Sequence, residues 1–322
     1  MWLWLLACKT PDDTAAPAPT HFRVAFISDT HVIGPQYTCC SESDDLDNES
    51  IQASNDRLAE TVRALNLVDP APEMVVILGD LVHDAHVFDT LEGFDTEETA
   101  WSLAADMLGE LNMPYHVAWG NHDYDFSCSG ENIDRDFTAA IFEKFFELPP
   151  YEAVDLFGWK FIVANSQLGP TFDIGDPRCD GGTGSFGAEQ LSWMQAQLGE
   201  GLPSVTTSHH YLPVIASGED DTLGDYEQVL TAAPNVQLTL AGHAHRWLTF
   251  NESYAFPHML LGGTRYDTDN FWIIEFEREG SEYNVLDYDK PDWYTTCADT
   301  WVYDQTAEPD PDNPAETGSC GS

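Results

Sequence analysis

The sequence predicts an α/β fold with a substantially parallel core. Three observations point there. Short β-branched or apolar runs alternate with amphipathic runs from His21 onward. One of the apolar runs, EMVVILGD, is continuous and ends in Gly-Asp, as a strand buried on both faces does. The last two apolar runs have no helix between them.

Taken in order, FRVAFISD reads as a first strand. In IQASNDRLAETVRALNLV the apolar residues, including Leu58, Val62 and Leu65, recur at helical spacing. EMVVILGD is strand, EETAWSLAADMLGEL helix and PYHVAWGNHD strand. DRDFTAAIFEKFFEL is a helix stopped by Pro149 and Pro150. WKFIVANSQ is strand, GAEQLSWMQAQL helix, PSVTTSHH strand, DYEQVLTAA helix and NVQLTLAGHAH strand. HMLLGGTRY and NFWIIEFER follow directly on each other and predict an antiparallel edge or hairpin. Right-handed crossovers place the helices on both faces of such a sheet, and ligands collect outside the carboxyl ends of its strands.

A chain of 322 residues that is 43% apolar is long enough to bury a real core, in one large domain or two ordinary ones. Its formal charge of −44, from 56 acidic against 12 basic residues, repels phosphate backbones and anionic lipid surfaces. Nucleic acid is therefore excluded as an expected tight partner. The excess suits a protein kept in salt or in divalent cations, where the repulsion is screened.

The chain opens MWLWLLAC, an apolar stretch far shorter than the roughly 20 residues that span a bilayer. LLAC resembles the bacterial lipoprotein signal box, which implies lipidation at Cys8, export, and membrane contact only through that anchor; an untethered apolar N-terminus is the alternative. Six further cysteines, Cys39, Cys40, Cys128, Cys179, Cys297 and Cys320, form an even set, which in an exported chain favours disulfides. Residues 1–20 are read as signal and linker, 21–290 as the functional domain and 291–322 as an irregular acidic tail.

The segment LAGHAHRW places His243 and His245 one residue apart, and any strand would put them on one face whether or not they serve a metal. Other strand ends decide the matter. Asp29 and His31 stand in SDTH, Asp80 in LGDLVH, Asn121, His122 and Asp123 in WGNHD, and His209 and His210 in TSHHYLP. Carboxylate, imidazole and amide oxygen together suit hard to borderline divalent ions, and the absence of thiolate argues against a structural zinc site.

This order of motifs resembles the calcineurin-like metallophosphoesterase family over about residues 21 to 290. The resemblance implies an αββα sandwich with central mixed sheets flanked by helices and a metal site at the carboxyl ends of strands. It implies two divalent ions, Mn, Fe or Zn, and hydrolysis of a phosphomonoester or phosphodiester of a small phosphorylated substrate by a monomer. Asp29, His31 and His245 would hold one ion, and Asn121, His209 and His243 the other. Asp80 would bridge them, and His122 would act near the leaving group with Asp123 setting its orientation. His209 is preferred over its neighbour His210, which remains open as ligand or substrate contact. His83 stands where purple acid phosphatases carry an iron-binding tyrosine, which disfavours a ferric site.

Arg246 and Arg265 follow strand ends in a chain with few cations, so either could clamp a phosphate or pair with a nearby acid. CDGGTGSFG lacks the lysine of a phosphate-binding loop and reads as a flexible rim. Cys39, Cys40, Cys128 and Cys179 lie in loops leaving the carboxyl ends of strands. At least one disulfide among these loops is expected to shape access to the site, with Cys297 to Cys320 closing the tail. The alternative function is a catalytically inactive binding or surface protein on the same fold.

Overall fold

The computed structural model describes residues 20–38, 46–124, 126, 128, 135–220, 222–250, 253–267 and 270–286, and strand backbone at 301–303 and 318–320. Cys8, Cys39, Cys40 and Cys297 lie outside the described residues, and so do the expected lipid anchor and tail pairing. Among the described residues no helix is long and apolar enough to cross a membrane.

Two mixed sheets face each other. In the first, β1 (His21–Ile27) runs parallel to β2 (Met74–Ile77), which runs parallel to β3 (Tyr115–Val117). In the second, β4 (Glu152–Leu156) pairs antiparallel with β5 (Trp159–Val163), and β5, β6 (Ser204–Ser208) and β7 (Val236–Ala241) are parallel neighbours. The short β8 (Leu248–Thr249) and β9 (His258–Leu260) complete that sheet in the order β4-β5-β6-β7-β9-β8. The first sheet is closed by β10 (Phe271–Glu277) and β11 (Tyr283–Leu286), giving β11-β10-β1-β2-β3.

Strand alternation explains the sandwich. On β1, Val24 and Phe26 meet Phe161, Val205, Leu238 and Leu240 from the other sheet. The intervening Ala25 and Ile27 pack outward with Leu58, Trp101 and Phe142. These come from the helices Ser54–Leu67, Ala100–Leu108 and Arg135–Phe146. Beyond the second sheet, Ile162 and Ala164 pack with Leu191, Met194 and Leu230, from helices Gly187–Leu198 and Tyr226–Thr231. Each fully buried side chain of this size contributes about 1.5–3 kcal/mol. The result is the expected αββα sandwich.

The last two apolar runs do not form a hairpin. β9 joins β7 in parallel, whereas β10 crosses to the other sheet and lies antiparallel to β1 along its whole length. The reason is two-sided burial. Trp272, Ile274 and Phe276 fill the space between the sheets, while Phe271 and Ile273 face the outer helices. The tail, expected to be irregular throughout, carries a short antiparallel pair, Trp301–Tyr303 with Gly318–Cys320.

At the start of the helix Gly187–Leu198, the backbone N–H groups of Phe186 and Gly187 donate to Glu219 Oε2 at 2.5 and 3.0 Å. The other oxygen, Oε1, is buried with no hydrogen-bond partner among the described residues. Burial, with the charge of Asp225 adding and the backbone bonds opposing, pushes the Glu219 carboxyl up to about 7. A raised carboxyl pKa means that the folded state holds the extra proton between the ordinary value and about 7, so stability falls as pH rises through that window. Glu219→Gln is therefore expected to match wild type at pH near 5. Near pH 8 it should be more stable by about 1 kcal/mol, a figure discounted for partial solvent access. Urea denaturation at the two pH values checks the difference.

Candidate metal centre

The loops that leave β1 and β2 continue the ladder of the strands. Asp29 N–H donates to Gly79 O at 3.0 Å, His31 N–H to Asp80 O at 2.9 Å, and His83 N–H to Val32 O at 2.9 Å. Gly242 N–H donates to His209 O at 3.0 Å, which ties together the ends of the neighbouring strands β6 and β7. The motifs separated along the chain thus meet at one edge of the sandwich.

The backbone there is strained. Asp29, His31, Asp80, His243 and His245 all hold positive φ, between 48° and 69°, five of the seven predicted ligands. A non-glycine residue in this region costs about 1–2 kcal/mol, and such conformations cluster where function over-determines them. Crowding is equally marked. A Cβ on Gly79, whose φ is 89°, would lie 2.6 Å from the His209 ring.

Two donor clusters share one carboxylate. Asp80 Oδ2 lies 3.5 Å from His31 Nε2 and 3.2 Å from His209 Nε2. Around His31, the His245 Nε2 atom is 3.2 Å from His31 Nε2 and 3.2 Å from Asp29 Oδ1. Around His209, Asn121 Oδ1 lies 2.9 Å from His209 Nε2 and 3.0 Å from His243 Nδ1. Each cluster, Asp29 with His31, Asp80 and His245, and Asp80 with His209 and His243, is compact enough to hold an ion. Asn121 adds an amide oxygen to the second.

The donor chemistry fits cations. His209 Nδ1–H donates to Leu78 O at 2.9 Å, which in the neutral ring leaves a lone pair on Nε2. That lone pair faces the oxygens of Asp80 and Asn121, so acceptors converge on acceptors. The electrostatics express the same demand for positive charge. Burial acts to lower the His209 pKa, yet the Asp80 carboxylate outweighs it and pushes the ring up to about 9. Burial acts to raise Asp80, and the imidazoles of His209, His122 and His31 hold it well below the usual carboxylate range. Burial and the charge of His209 pull His243 down to about 4.

Several expected roles are revised. His210 is not among the cluster donors: its ring packs beside His243, with centroids 4.3 Å apart, while its Nδ1 lies 2.9 Å from Ser166 Oγ and 3.2 Å from Gln167 Nε2. Its side chain is fully buried. Asp123 does not orient His122. Its Oδ1 accepts Val82 N–H at 3.0 Å and its Oδ2 accepts Gly120 N–H at 2.8 Å, so it braces the two loops. The contact on His122 Nδ1 is instead the carbonyl of His83, at 3.1 Å.

Arg265 is nearly buried, donates from Nη2 to the Tyr266 hydroxyl at 2.6 Å and lies over that ring, which fixes it in the wall rather than as an open clamp. Arg246 is half-buried directly after His245. His258 is a satisfied core residue: its Nδ1 lies 2.7 Å from Thr239 Oγ1 and its Nε2 accepts Leu212 N–H at 3.2 Å. A disulfide joins Cys128 to Cys179, so the loop after Asn121–Tyr124 is stapled to the glycine-rich loop, as expected of the rim. His83 also stands beside the donors, close to His31 and His122, and its place three residues after Asp80 in LGDLVH is the sequence signal for it.

The sequence model of the calcineurin-like phosphoesterases matches residues 22–247, most of the chain. The chain belongs to the calcineurin-like phosphoesterase family. Two proteins named "Probable cyclic nucleotide phosphodiesterase", from Synechococcus strains, are similar to it. One is 25% identical over 187 residues, covering 56% of this chain and 61% of that protein. The other is 26% identical over 184 residues, covering 54% and 60%. This calcineurin-like chain therefore matches less than two thirds of the length of those relatives. Among solved structures, a dimetal phosphatase from Danio rerio aligns with a TM-score of 0.51 at 20% identity, covering 83% of this chain and 99% of that one. A purple acid phosphatase from seeds of yellow lupin, Lupinus luteus, aligns at 0.51 and 13% identity, covering 80% and 50%. At those identities the likeness is one of fold.

Proposed function

We propose that this chain is a dinuclear metal-dependent phosphohydrolase that cleaves a phosphomonoester or phosphodiester bond of a small substrate. The observation that carries the reading is the shared Asp80 Oδ2, within 3.5 Å of one imidazole donor and 3.2 Å of the other. Asp29, His31 and His245 would hold one divalent ion and Asn121, His209 and His243 the other, with Asp80 common to both. When bound, such a pair supplies Lewis-acid stabilisation of a phosphoryl group and acidifies water.

The remaining steps belong to the chain. His122 commits Nδ1–H to the His83 carbonyl, so its exchange of a proton with a leaving-group oxygen takes place at Nε2. Asp80 Oδ1 accepts the backbone N–H of His122 at 2.8 Å, which ties the position of that ring to the shared carboxylate. The names of the Synechococcus relatives support a phosphodiester among the substrates, and the charge of −44 favours a small one over nucleic acid. The disulfide supports an oxidising, exported location.

The test is hydrolysis of p-nitrophenyl phosphate and its bis ester by the purified chain with added Mn²⁺. His122→Ala is expected to keep its bound metal and to lose about 10²–10⁴-fold in kcat. A wild-type chain that binds metal yet hydrolyses neither these esters nor a panel of phosphorylated metabolites would be a binding protein on this fold.

A further inference from the structure

We infer that the His83 ring is a positioning residue: its Nδ1 accepts the Nδ1 proton of His31 and so fixes the tautomer in which His31 presents a bare Nε2 to the donor cluster. This rests on the proposed role of His31 as a metal ligand. The two Nδ1 atoms lie 3.2 Å apart, while His31 Nε2 faces His245 Nε2 at 3.2 Å and Asp80 Oδ2 at 3.5 Å. A neutral imidazole has one proton for two nitrogens, so a partner that accepts at one nitrogen clears the other.

The geometry is enforced by the backbone rather than by a floppy side chain. Val32 N–H donates to Leu81 O at 2.9 Å and His83 N–H donates to Val32 O at 2.9 Å, so the loop carrying His83 is zipped to the loop carrying His31. The His83 ring is held on both sides. It stacks on His122 with centroids 4.8 Å apart and planes inclined by 20°, and Tyr37 meets it edge-on at 5.3 Å. Its carbonyl also takes the His122 Nδ1 proton, so one residue assigns the proton on two histidines of the site, by ring and by backbone. A rival use of the same atoms exists: His31, His83 and His122 are close enough to hold an ion of their own. Ligation through His31 Nδ1 would need that proton removed.

The experiment compares wild type, His83→Ala, His83→Asn and His31→Ala as full chains. Bound Mn²⁺ and Zn²⁺ are measured by equilibrium dialysis with elemental analysis, alongside thermal melting. Asparagine keeps an acceptor near the place of Nδ1; alanine does not. Wild type is expected to take two ions, and His31→Ala to lose one outright. His83→Ala should weaken one ion by about 10–100-fold and leave the other unchanged, and His83→Asn should recover most of that loss. The inference is overturned if His83→Ala binds both ions as wild type does, or if the asparagine variant folds but binds no better than alanine. A third ion in wild type that vanishes in His83→Ala overturns it in favour of ligation. A wild-type chain that takes up no ion at all defeats the proposed function itself, and the role of His83 with it.

Discussion

Asp80→Asn is expected to lower kcat/KM by about 10³-fold, which is ~4 kcal/mol of transition-state stabilisation, and to leave the protein unable to hold two ions together. The geometry gives the reason. The Asp80 side chain has two separate duties: Oδ1 accepts His122 N–H at 2.8 Å, and Oδ2 faces His31 and His209. Asparagine can retain the first with its amide oxygen, but it then turns an N–H₂ group toward both imidazoles. No lone pair is left to be shared. The fold should survive with some loss of stability, because asparagine keeps the side-chain volume and the acceptor for His122 N–H while the attraction of the carboxylate to the imidazoles is lost. Metal content and phosphodiester hydrolysis, read beside a thermal melt, check the prediction. Wild-type activity in a folded Asp80→Asn chain would remove the shared carboxylate from the mechanism.

Gly120→Ala should be nearly as damaging without touching any donor. A Cβ at that position would lie 2.1 Å from the Asp80 backbone nitrogen and 2.2 Å from Asp80 Oδ1. Neither atom is the end of a flexible chain. The nitrogen belongs to the tight loop after β2, and the oxygen is pinned by His122 N–H. Relief must therefore displace the shared carboxylate, at about 1–3 kcal/mol of stability and about 10²-fold in activity through misplaced donors. Gly182→Ala is the control, because its Cβ would meet only Asp180 Oδ1, at an ordinary 3.6 Å. Denaturant midpoints and turnover for the two variants separate crowding at the site from a general cost of replacing glycine. Equal behaviour of the two variants would contradict the crowding argument.

Much of the site was legible because its donors lie at strand ends, where a strand signal breaks into a few polar residues. Asp29, Asp80 and the histidine pair of LAGHAHRW all follow this pattern, and the structure gathers them at one edge. What stayed hidden involved the side of the chain a residue faces once it has left a strand. His209 and His210 are adjacent, and only their tertiary contacts, His209 with Asp80 and Asn121 and His210 with Ser166 and Gln167, show which ring joins the donors. Asp123 reads as a partner of His122 from its neighbouring position, yet its oxygens are taken by Val82 and Gly120 N–H groups. His83 carried the right chemistry, but its contact with His31 spans 52 positions and depends on two loops being zipped together.

The sequence by itself determined the alternation of strands and helices, the residues that are apolar on both faces, and the kinds of donor available to a metal. Those follow from local periodicity and side-chain chemistry. Only the tertiary structure decided which strands share a sheet, that β10 leaves β9 to join β1, that Cys128 pairs with Cys179, and which oxygen of Asp80 faces both clusters. Periodicity reports that a face is buried. It does not report against which neighbour, and that choice is made by packing among segments far apart in the chain.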